Sequence, residues 1–126
     1  MTLQEIAAEL VAGCREGRER ENLDRLYHPA AISVEPVDFG QGRVTEGVAG
    51  IKGKHDWWEA NFDVHGTEVD GPYLFAGEGG TSDRFAVNFA IDTTEKASGR
   101  RMTSKEVALY TVEDGRIVRE EFFAAP

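Results

Sequence analysis

The chain has 126 residues, 40% hydrophobic and 29% charged, which sets the expectation of one domain over residues 1–126 with one core and one modest pocket. Its 14 basic and 23 acidic residues leave a net charge of −9, which argues against nucleic acid and against a polybasic membrane anchor. A lone cysteine, Cys14, excludes an intrachain disulfide and a Cys-rich metal site, and neither a basic-apolar leader nor an apolar run of about 18 residues is visible, so a cytoplasmic protein is expected.

The first predicted element is a helix. Leu3, Ile6, Ala7, Leu10, Val11 and Cys14 form one stripe of helical period, and Thr2 with Glu5 reads as a capping box. Cys14 reads as a small core hydrophobe. The run 15–21 mixes signs and reads as a solvated helix end. Asn22 is placed as the cap of a short second helix with Leu23, Leu26 and Tyr27 facing inward, closed by Pro29. A short strand over 30–36 follows, in which Ile32 and Val34 alternate with Ala31, Ser33 and Glu35. Pro36 lacks an N–H, so the ladder is expected to lapse at Glu35 or the strand to lie on an edge. The loop 38–42 contains two glycines but no Gly-Lys-Ser/Thr, so it is not a phosphate loop.

A third helix is predicted over 48–62. Ile51, His55, Trp58 and Phe62 share one face of it. Gly50 and Gly53 each cost about 1 kcal/mol relative to alanine, and are expected to permit close packing on the sheet. Strands then fill the rest of the chain: 64–76, broken near Gly71-Pro72, then 83–94, 101–112 and 117–124. The second of these alternates Phe85, Val87, Phe89 and Ile91 against Arg84, Ala86, Asn88, Ala90 and Asp92. Asp114-Gly115 marks a hairpin turn before the last strand. The order predicts an α+β fold with helices on one face of a curved antiparallel sheet.

Three stretches carry a family resemblance: Leu26-Tyr27-His28-Pro29-Ala30-Ala31-Ile32-Ser33, the helix start at Gly50-Ile51, and Tyr110-Thr111-Val112-Glu113-Asp114-Gly115-Arg116-Ile117. Lys54-His55-Asp56-Trp57-Trp58, Arg84-Phe85-Ala86-Val87 and Glu121-Phe122-Phe123 add to it. Over nearly its whole length the chain resembles the nuclear transport factor 2-like superfamily, in particular its SnoaL-like small bacterial members. The resemblance implies a cone: a curved antiparallel sheet wrapped on a long helix, with an apolar pocket inside and a homodimer through the outer sheet face. The superfamily holds isomerases, cyclases, dehydratases, hydrolases and non-enzymatic binders, so the fold leaves the activity open.

Laying Tyr27 on the family's tyrosine brings Glu35-Pro36 onto the carboxylate-proline pair that serves ketosteroid isomerase as general base. A carboxylate at the mouth of an apolar pocket is expected to have its pKa raised by desolvation. The same alignment puts Val11, and Ala108 or Val107, where that enzyme keeps its oxyanion donors, so both donors are missing. His55 and Tyr110 are the expected replacements, with Glu106 as a second carboxylate. Ile51, Trp58, Phe85, Val87, Glu120 and Phe122 are expected to line the pocket, with Glu121 and Phe123 as the other possible register of the last strand. His28, His55 and His65 lack metal-ligand spacing, so no metal is expected, and no cofactor. The expected function is general acid–base isomerisation, cyclisation or dehydration of a small apolar ligand. The alternatives are a non-catalytic binding protein and a dimeric accessory module.

Overall fold

The structure, a computed structural model, describes residues 1–74 and 83–126. Helix α1 (Leu3–Glu16) is closed at its start by the expected capping box. Thr2 Oγ1 accepts from the Glu5 N–H at 3.1 Å, and Glu5 Oε1 accepts from the Thr2 N–H at 3.0 Å. Its stripe of Ile6, Ala7, Leu10 and Val11 is buried. Helix α2 (Glu19–Arg25) begins three residues before Asn22, so Asn22 is not its cap. The Asn22 side chain is buried instead, and donates to the Glu9 carbonyl at 3.3 Å. Gly13 makes this contact possible, because a Cβ there would fall onto the Asn22 amide.

Strand β1 (Tyr27–Val34) starts earlier than its alternation signals. Pro29 lies within it and does not close a helix. The ladder with the last strand shifts register between Tyr27 and Ile32, which accommodates a residue with no N–H to offer. The strand ends at Val34, and Glu35 follows it directly. Strand β2 (Val44–Glu46), too short to announce itself, pairs antiparallel with β1. Helix α3 (Gly47–Asn61) then leads into β3 (Phe62–Leu74), β4 (Arg84–Glu95), β5 (Arg101–Glu113) and β6 (Arg116–Ala124). β3 continues through Gly71-Pro72, where the register with β4 shifts, and its expected end at Ala76 lies outside the described residues.

The six strands form one sheet in the order β2-β1-β6-β5-β4-β3. All neighbours are antiparallel except β1 and β6, which run parallel and correct the expectation of a wholly antiparallel sheet. The architecture is α+β, a curved open sheet with three helices. Phe85, Val87 and Phe89 of β4 and Ala108, Tyr110 and Val112 of β5 are buried on the inner face with the α1 stripe. Of α3, only Ile51 is completely buried. Gly50 lets α3 approach β2, since a Cβ there would lie 2.9 Å from Thr45 Cγ2, but Gly53 faces open space and serves no such contact. No helix among the described residues is long and apolar enough to cross a membrane.

Candidate active site on the inner sheet face

Side chains on one face of a sheet line up across strands, and that rule builds the site. One inner row runs Ser33 on β1, Glu120 on β6, Tyr110 on β5 and Phe85 on β4, each paired with the next. The adjacent row is Phe122, Ala108 and Val87, and the one beyond it Ala124, Glu106, Phe89 and Val69. Of the two registers open for β6, Glu120 and Phe122 point inward. Glu120 is 5% exposed, while Phe123 on the other face is 45% exposed.

A buried carboxylate needs donors, and Glu120 has two. The Tyr27 hydroxyl donates to Oε1 and the Ser33 hydroxyl to Oε2 at 2.6 Å. Ser33 Oγ in turn accepts from the Lys54 ammonium at 2.7 Å, and Lys54 also donates to Glu35 Oε1. One chain of hydrogen bonds therefore links Tyr27, Glu120, Ser33, Lys54 and Glu35. The Lys54 ammonium stands 5.9 Å from the centre of the Phe122 ring. Lys54 lies three residues after Ile51 and four before Trp58, so α3 itself turns this cation toward the sheet.

Glu106 is partly buried, and burial pushes its carboxyl up to about 7. The negative charges of Glu35 and Glu120 push the same way, and the Lys54 ammonium opposes them. Burial also raises the Tyr27 and Tyr110 phenols well above their ordinary value, so both stay protonated. His55 is half-buried on α3, and burial lowers its pKa, which favours the neutral ring at pH 7. Trp58 stacks on Phe62 at 4.2 Å between ring centres, and Phe85 on Tyr110 at 4.9 Å. Ile51, Phe85 and Val87 are completely enclosed in the core.

The sequence reading did not single out Tyr27, Ser33 or Lys54 as site residues. A signal for Lys54 existed: a cation on the apolar stripe of a helix needs a partner. No three His, Cys, Asp or Glu side chains among the described residues gather as metal ligands. His28 Nδ1 accepts from the Ala30 N–H, and His65 pairs with the Thr94 hydroxyl.

Cys14 faces the same acidic interior. Burial first, then the charges of Glu19 and Glu120, push its thiol up to about 12. The thiolate is the reactive form, so folded protein at pH 8 should resist iodoacetamide while denatured protein alkylates fully. Mass spectrometry of timed samples checks this, and rapid labelling of the native chain would contradict it.

Comparison with known proteins agrees with this architecture. Residues 1–124 match the model of the SnoaL-like domain. A protein from Mesorhizobium loti, provisionally named a SnoaL-like polyketide cyclase, is 34% identical with a TM-score of 0.87, covering 98% of this chain and 99% of its own. A protein from Bacillus subtilis, provisionally named an isomerase, is 20% identical with a TM-score of 0.73, covering 100% of this chain and 91% of its own. An NTF2-like protein from Burkholderia pseudomallei is 17% identical with a TM-score of 0.71, over 99% and 92% of the two chains. None of the curated proteins matches this chain in sequence. A match over nearly every residue, carried on this sheet and these three helices, establishes that the chain belongs to the SnoaL-like domain family.

Proposed function

We propose that the protein is a general acid–base catalyst of the isomerase or cyclase type, acting on a small apolar carbonyl compound at the inner sheet face. The observation that carries this reading is Glu106. A partly buried carboxyl brought to about 7 by burial and by two neighbouring carboxylates is balanced between base and acid at neutral pH. In the ionised form it takes the proton from the carbon beside the carbonyl. Returning that proton to another carbon of the same skeleton completes an isomerisation. Attack of the enolate on a second carbonyl, whose oxygen then takes the proton back from Glu106, completes a cyclisation. Glu35, the base expected from the family pattern, holds the Lys54 ammonium in place. The neutral His55 ring and the Tyr110 phenol are the further hydrogen-bonding groups of the site. Membership of the SnoaL-like family, with a 34% identical relative provisionally named a polyketide cyclase, supports the same class.

The test is conversion of 3-cyclohexen-1-one to 2-cyclohexen-1-one, followed by the absorbance of the conjugated product. Saturable conversion is expected, with a rate that rises with pH through about 7 as Glu106 ionises. No conversion of this ketone or of its ring-substituted homologues, or a rate independent of pH between 5 and 9, overturns the reading.

We also propose a homodimer through the outer sheet face. Ile32, Val107, Leu109, Val118 and Phe123 alternate with the inner residues, and no helix among the described residues covers them. A depression of about 760 Å³ among Ile32, Thr111, Val118 and Arg119 lies on that face. Sedimentation at micromolar concentration should give twice the 13.9 kDa chain mass, and a monomer would refute the dimer.

A further inference from the structure

An enolate needs more than a base. Its oxygen gains negative charge as the proton leaves, and an unstabilised oxyanion in an apolar site is costly. The positions where the family pattern keeps oxyanion donors hold Val11, and Ala108 or Val107, all of them apolar, with Val11 and Ala108 buried. The stabiliser has to come from elsewhere in the site.

We propose that Lys54 is this residue, and that the site takes ligands with an enol or phenol oxygen on an apolar skeleton. The proposal rests on the reading of Glu106 as the base. An ammonium has three N–H donors. Ser33 Oγ and Glu35 Oε1 take two, which leaves one without an acceptor among the described residues. The Lys54 side chain is 25% exposed, so it is not sealed in the core. It stands over the Phe122 ring, and Glu106 lies one inner row beyond Phe122. In the proposed binding mode a flat ligand lies beside Phe122, between the Glu106 carboxyl and the Lys54 ammonium. Neutral His55 and the enclosed Tyr110 are weaker candidates, because neither carries the positive charge that a developing oxyanion rewards most. Glu35 sets the direction of the ammonium and also dilutes its charge. Removing that carboxylate while keeping its shape should strengthen the hold on an anion.

The test uses 2-naphthol, whose neutral and ionised forms differ in absorbance, and 2-methoxynaphthalene, which cannot ionise. Bound to the wild-type protein, 2-naphthol should ionise at a proton concentration at least tenfold higher than in free solution. Lys54→Met should abolish that preference and still bind 2-methoxynaphthalene as the parent does, which shows that its site is folded. Glu35→Gln should increase ionised binding by a further threefold or more, a result that a merely structural ion pair would not give. Ionisation unchanged in Lys54→Met overturns the proposal. So does a Glu35→Gln variant that binds the anion no better than the parent, or a wild-type protein that binds neither probe. The two readings fail separately. Ketone conversion without Lys54-dependent ionisation leaves Glu106 as base and removes Lys54. Lys54-dependent ionisation without ketone conversion keeps the anion site and removes the catalytic reading.

Discussion

Glu106→Gln should give a protein that is more stable than its parent at pH 8 and at least a hundredfold slower in ketone isomerisation. Both effects follow from one group. Its pKa is about 4.5 in the unfolded chain and about 7 in the folded one. Between those values the folded state binds the extra proton, so stability falls as pH rises through that window and stays low above it. Glutamine keeps the shape of the neutral acid and never ionises. The variant should therefore match the parent near pH 4 and exceed it by about 1–3 kcal/mol at pH 8, the range reflecting screening by the solvent that still reaches the side chain. Urea unfolding at both pH values reads the difference. Equal stability at pH 8 would mean that Glu106 ionises freely in the fold. The rate loss is the ordinary consequence of deleting a general base, and the gain beside it is the cost that holding a base in a poor solvent imposes on the parent.

The second large effect is on packing. Phe85 is 1% exposed and lies stacked on Tyr110, with ring planes 15° apart. It belongs to the row that begins at Ser33 and passes through Glu120 and Tyr110. Phe85→Ala should cost about 3–5 kcal/mol, because the lost burial is compounded by a cavity that the sheet closes only partly. For a chain of this size that lowers the melting temperature by at least 10 °C. Phe85→Leu, which fills much of the same volume, should recover more than half of the loss. Calorimetry on the two variants checks both figures. An alanine variant within 1 kcal/mol of the parent would show that the ring is not a core element.

The local signals in the chain were strong where structure is local. The capping box at Thr2 places the start of α1, and the stripe through Ile6 and Leu10 its buried face, because both depend on neighbours at most a few positions apart. β1 was harder. Tyr27 and Pro29 belong to it only because β6 lies alongside, and nothing near Tyr27 in sequence reports a partner 90 residues away. The parallel pairing of those strands and the three-residue β2 were hidden for the same reason. The candidate site repeats the pattern. Glu106 is readable from alternation along its strand. The last register was not, since Glu120-Glu121 and Phe122-Phe123 offer a glutamate and a phenylalanine to either face. Lys54 is hard to assign from sequence because a lysine on a helix is usually solvated, and its two acceptors, Ser33 and Glu35, lie on and just after β1.

The hydrogen bonds from Tyr27 and Ser33 to Glu120 span 93 and 87 residues. They join the first strand of the chain to the last one, so they form only after nearly the whole polypeptide has been made. Closing so long a segment is entropically expensive, and contacts of this kind come late in folding. During synthesis the three helices and β1 emerge first, with the inner carboxylate still inside the ribosome. β1 then waits with an unpaired edge, and the Lys54 ammonium waits without the acidic neighbour behind Ser33. Arrival of β6 closes the strand edge and completes the hydrogen-bond chain from Tyr27 to Glu35 in the same event. A chain that stops short of residue 116 would thus lack the Glu120 carboxylate and be sticky along β1, so the buried polar cluster and the closed sheet would arrive at the same moment.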